Sequence, residues 1–114
     1  MGRVIHSGSG AGGGGAAGTF SPSSTFRPAP GTDIEIFSVV FTNDDAAAKL
    51  SNMALSVDEQ ATWTLLVSLL SLDPAESWIW GTGGGRIMVL SHSDILGFDP
   101  GENVDFTVFG NEIL

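Results

Sequence analysis

His92-Ser93-Asp94 brings together the three residue types of a nucleophilic relay. Adjacent positions cannot aim three side chains along one proton path, so the tripeptide reads as a turn, with Ser93 or Asp94 capping the backbone ahead of Ile95-Leu96. His6 is the one other histidine, and two histidines without identified carboxylate partners do not make a metal site. The alternative these residues leave is a small enzyme or ligand-binding subunit using His92 with carboxylates at a subunit interface. Asp99, Glu102, Asn103 and Asp105 offer closely spaced oxygens of the kind calcium takes. They lack the alternating spacing and closing Glu of an EF-hand loop, and a solvated turn explains them. Gly81-Thr82-Gly83-Gly84-Gly85 has the glycine density of a phosphate loop. A helix-like segment precedes it and a strand-like one follows, the reverse of the required order, and no Gly-Lys-Ser/Thr completes it. The pairs Asp44/Asp45 and Asp58/Glu59 sit where helix capping accounts for them. The expectation is therefore no catalytic residue, no metal and no cofactor.

Composition narrows the classes further. A chain of 114 residues is one domain. Thirteen Asp and Glu against four Lys and Arg give a net charge of −9, which argues against nucleic acid as a partner, because phosphate neutralisation needs clustered cations. Cysteine is absent, so disulfides and thiolate chemistry are excluded. The longest apolar segment, Ala61 to Leu72, is broken by Thr62, Thr64, Ser68 and Ser71 and falls short of the roughly 20 residues of a membrane span. Met1 to Ser7 runs into glycines rather than the apolar stretch of a secretory signal. A soluble protein with no membrane partner is expected.

The elements that must position any site divide into two regions. Residues 1–31 hold nine of the 16 glycines, three of the five prolines and no acid. They read as an extended arm, since Gly12 to Gly15 cannot order themselves. Residues 32–114 carry all 13 acids against Lys49 and Arg86 and read as a compact body. Ile34 to Thr42, rich in β-branched and aromatic residues, predicts a strand. Asn43-Asp44-Asp45 before Ala46 to Leu55 predicts a short helix. Ser56-Val57-Asp58-Glu59 has the form of a capping box, predicting the main amphipathic helix over Val57 to Leu72, with Leu66 and Leu69 in its buried stripe. Asp73-Pro74-Ala75-Glu76 predicts a turn of helix through Trp78. Arg86 to Leu90 and Asn103 to Phe109 predict two more strands, separated by turn chemistry at Gly97 to Glu102. The expected fold class is α+β, a small single domain with a few strands and one main helix behind a Gly/Pro-rich arm.

Phe20, Phe26 and Arg27 in the arm, and Trp78 and Trp80 in the body, are the candidate protein-binding residues, because aromatics and Arg anchor interfaces. Arm Met1–Gly31 and body Thr32–Leu114 together resemble, in organisation, the small virion structural proteins of tailed bacteriophages, of decoration, tail or fibre-adaptor type. The resemblance implies a non-enzymatic assembly subunit located in a virion, whose arm docks on neighbouring subunits. Its partners would be other protein subunits, as a homo-oligomer or a larger assembly.

Overall fold

A computed structural model of the chain describes residues 2–10, 20–81 and 85–113. All of the regular structure among them is β. Nine strands follow in order: β1 (Arg3–Ser9), β2 (Ser24–Phe26), β3 (Asp33–Asn43), β4 (Lys49–Ser56), β5 (Thr64–Leu72), β6 (Ser77–Trp80), β7 (Met88–Leu90), β8 (Ile95–Asp99) and β9 (Val104–Ile113). They form two sheets. One runs β1-β9-β3-β6, with β7 also pairing β3; the other runs β2-β8-β4-β5. Every strand pairing is antiparallel.

The sheets enclose one core. Ile34, Ile36, Val39 and Phe41 of β3 and Val104, Phe106 and Val108 of β9 face Met53 of β4, Val67 and Leu72 of β5, and Leu96 and Phe98 of β8. From Val104 to Gly110, strand β9 buries every second residue, as a strand covered on one face must. In β3 the register shifts between Ile36 and Ser38. This bulge inserts one residue, so that Ile36 and Val39, three apart, both reach the core.

The α+β expectation fails where helices were predicted, and the reason is local. Ser56 does accept hydrogen bonds like a cap, from the amides of Gln60 (2.9 Å) and Asp58 (3.4 Å). Asp58 in turn accepts from the Thr62 amide at 2.9 Å, while Glu59 and Gln60 lie at φ 56° and 69°. Two successive left-handed residues end any helix, so the capping-box letters instead build the β4–β5 turn, and Thr64 to Leu72 continues as a strand. Asn43 and Asp45 likewise spend their side chains on local turns, Asn43 Oδ1 accepting from the Asp45 amide and Asp45 Oδ1 from the Ala47 amide. The predicted short helix becomes the β3–β4 connection and β4. Between Asp73 and Glu76 a tight turn with Ala75 at φ 65° leads directly into β6.

The described parts of residues 1–31 pair with strands of residues 32–114. Strand β1 pairs with β9 from Arg3↔Asn111 to Ser9↔Asp105, and β2 pairs with β8, so both described parts of residues 1–31 belong to the sandwich. Gly10 fastens the end of β1: its amide donates to the Val104 carbonyl at 3.0 Å and its carbonyl accepts from the Asn103 amide at 3.1 Å. A Cβ there would run into the carbonyl oxygens of Pro100 and Gly101, so the approach requires glycine. Gly12 to Gly15 lie outside the described residues.

Candidate functional site

The residues singled out for chemistry are held in structural roles. Asp94 closes the β7–β8 turn, its Oδ2 accepting from the Ser91 amide at 2.8 Å. His92 Nδ1 meets the Pro28 carbonyl at 2.8 Å, while the His92 carbonyl accepts from Arg27 Nε at 2.9 Å. Arg27 also grips Glu59 with two bonds of 2.9 and 3.0 Å. That pairing holds the Glu59 carboxyl below its ordinary range and raises the guanidinium. Arg27 thus clamps β2, the β7–β8 turn and the β4–β5 turn together. The neighbouring Asp105 carboxyl pushes the Asp44 carboxyl above its ordinary range. The Asp45 carboxylate accepts from Asn103 Nδ2 at 2.8 Å and is lowered by it. Among the described residues, no group of three His, Asp or Glu is placed to hold a metal. Of the glycine run Gly81 to Gly85, Thr82 to Gly84 lie outside the described residues, and Gly81 turns the chain at φ 90°.

The predicted protein-binding aromatics are anchors within this chain. Phe20 lies against Trp63 with ring centroids 5.0 Å apart. Both rings cover Gly97, where a Cβ would approach them to 2.8–2.9 Å. Phe26 enters an inter-sheet cluster around His6, whose ring lies 5.3 Å from Phe26, 5.9 Å from Phe98 and 5.8 Å from Phe106. His6 Nε2 is 3.2 Å from Ser24 Oγ, and burial lowers its pKa from the ordinary value near 6.5. Trp78 and Trp80 sit 6.4 Å apart, packed against the core, with Trp78 6.1 Å from Phe41.

What sequence reasoning missed is the outer face of the five-stranded sheet. Register builds two rows across it: Ile5, Phe109 and Ser38 in one, Ser7, Thr107, Val40 and Ile79 in the other. Neither row contains a charge. Ile5 is 55% exposed and Ile79 51%, and Phe109 and Val89 are exposed too. The rows on either side are charged. Ser9, Asp105, Thr42 and Ser77 form one; Arg3, Asn111, Glu35 and Val89 form the other, where Arg86 lies 3.7 Å from Glu35. An apolar centre inside a polar rim is the anatomy of a protein interface. A second apolar surface lies along β5, where Leu65, Leu66 and Leu69 are exposed. No helix among the described residues is long and apolar enough to cross a membrane. Comparison with known proteins brings no relative to bear: no family model, curated protein or solved structure matches the chain.

Proposed function

We propose that this protein is a non-enzymatic structural subunit that assembles with copies of itself through the outer face of its five-stranded sheet. The observation that carries the reading is the pair of charge-free rows spanning β1, β9, β3 and β6, which run through Ile5, Phe109, Val40 and Ile79. Burying such residues is worth about 1.5–3 kcal/mol each when exposure is fully removed, and here roughly half of that remains to be gained. The rim offers both signs, Arg3 and Arg86 against Glu35 and Asp105, so a second copy brings its own complement. A strongly basic partner is not needed. A virion, with the subunit in a decoration, tail or fibre-adaptor role, is the location proposed with this function: a small sandwich with an apolar docking face suits a lattice of repeated copies.

The test is light scattering coupled to size-exclusion chromatography on the intact chain. An oligomer is expected at micromolar concentration, and Ile79→Lys with Phe109→Lys should dissociate it while the cooperative thermal transition is kept. A wild-type monomer would refute the proposal.

A further inference from the structure

Strand β1 is an edge strand of the five-stranded sheet and β2 an edge strand of the four-stranded one. Among the described residues their strand partners are β9 and β8, so lifting β1 and β2 away together breaks no pairing between the strands that remain. Contacts outside the ladders also reach far along the chain. The Gly2 carbonyl accepts from the Glu112 amide at 2.9 Å, the Ser23 amide donates to the Phe98 carbonyl at 2.9 Å, and Arg27 grips Glu59. His6 meanwhile ties the two strands to each other, with its Nε2 3.2 Å from Ser24 Oγ and its ring 5.3 Å from Phe26. Strands β1 and β2 therefore form one module, carried on the rest of the chain by residues 28–32.

That connection is a single turn. Pro30 and Gly31 hold its central positions, with Gly31 at φ 79° and the Thr32 amide donating to the Ala29 carbonyl at 3.0 Å, the pattern of a type II turn. Ala29, Pro30 and Gly31 are exposed. Proline fixes φ at about −65°, and the residue before a proline favours an extended backbone, so Gly31 is what reverses the chain here. With Gly31 extended, the module is carried off its own body and leaves bare the edges of β8 and β9, together with the Phe98 and Phe106 rings that His6 covers. What fits that seat is fixed by the contacts that fill it in the closed chain: two ladders in register, an aromatic cluster around His6, and a cation for Glu59. Charge selects the same occupant, because residues 1–31 carry Arg3 and Arg27 and no acid while residues 32–114 carry all 13 acids. We infer that the module exchanges between copies, the β1 and β2 of one chain seating on the β9 and β8 of another. Closed and exchanged forms make the same contacts, so concentration and the hinge turn decide between them. The exchange goes beyond the sheet-face contact and does not require it.

Because the chain has no native cysteine, Arg27→Cys and Glu59→Cys on separate chains of different mass report the exchange. Unfolded together in urea, refolded at high concentration and treated with a short bismaleimide, they should give a covalent dimer holding one chain of each kind. Chains folded separately and then mixed control for chance collision. Every variant also carries Ile79→Lys and Phe109→Lys, so failure of the sheet-face proposal leaves this readout untouched. Gly31→Val tests the hinge. A Cβ at residue 31 meets nothing within 4 Å, so only the φ of the turn opposes it. The monomer–dimer equilibrium should move toward the dimer by at least about tenfold, since two hinges are relieved per dimer, whereas Gly31→Asn, which tolerates the left-handed region, should stay near the parent. No mixed crosslink, with Gly31→Val lowering the urea midpoint of a chain that stays monomeric, would overturn the inference. A Gly31→Val dimer without the mixed crosslink would also overturn it, by showing association through another surface. A mixed crosslink with the Gly31→Val equilibrium unmoved would support the exchange and overturn residue 31 as its hinge.

Discussion

Replacing Phe98 by Ala should be among the most damaging single changes in this chain. Phe98 is fully buried and lies in β8 of the four-stranded sheet. It stacks on Phe106, in β9 of the five-stranded sheet, with centroids 4.3 Å apart and planes 8° from parallel. His6 of β1 touches the same pair at 5.9 and 5.8 Å. One ring therefore ties strands of both sheets. Removing a buried Phe costs about 3–5 kcal/mol, a large share of the roughly 5–15 kcal/mol that holds a typical domain. With a urea dependence of about 1.5 kcal/mol per M, the midpoint should fall by about 2–3 M. The comparison that gives the measurement its force is Leu66→Ala and Leu69→Ala, read at the same protomer concentration so that association does not confound the midpoints. A helix over Val57 to Leu72 would make those leucines core residues costing about 2–5 kcal/mol each. Exposed on β5, they should cost under about 1 kcal/mol. If Phe98→Ala costs less than either leucine change, the core is not where the two sheets place it.

Three further outcomes follow from the same packing. Deleting residues 2–9 should abolish the cooperative thermal transition, since it removes β1 from beside β9 and takes Val4 and His6 from between the sheets; a free arm would be dispensable in the same experiment. His6, with its pKa lowered by burial, is favoured neutral in the folded state. Its contribution is complete above the unfolded value near 6.5 and declines as pH falls below it, so the urea midpoint should drop between about pH 7.5 and 5.5, and the drop should shrink in His6→Asn. Gly97→Ala should drive Trp63 and Phe20 off the sheet, costing about 1–3 kcal/mol and shifting tryptophan emission to longer wavelength.

How much of this was legible in the sequence depended on how local each cause was. Strands β3 and β9 were readable because Ile34 to Thr42 and Asn103 to Phe109 carry β-branched and aromatic residues in runs that no helix favours. Strand β1 was not: Val4, Ile5 and His6 are too few and too close to glycine to signal a strand, and what orders them is pairing with β9, at the other end of the chain. Strand β5 was misread for a different reason. Leucine suits helix and strand alike, so its assignment rested on Ser56 and Asp58, whose oxygens serve equally well to cap a helix or to tie a turn. The left-handed Glu59 and Gln60 decide for the turn.

The candidate interface was harder still to see. His92-Ser93-Asp94 and the oxygens of Asp99 to Asp105 are visible in the sequence because each set is contiguous; in the structure Ser91 to Asp94 form a turn, while Asp99 ends β8 and Asp105 lies in β9. An apolar sheet face is distributed. Ile5, Val40, Ile79 and Phe109 come from four strands, and in each strand the residue looks like an ordinary member of an alternating row. The alternation says that one side is buried but not which neighbours share the other side. Only the register between strands brings those four into adjoining rows free of charge, and a one-residue slip of β1 against β9 would put Ile5 inside and His6 outside. Register, set by the β3 bulge and by Gly10 at the end of β1, is therefore what turns four ordinary residues into one continuous charge-free surface.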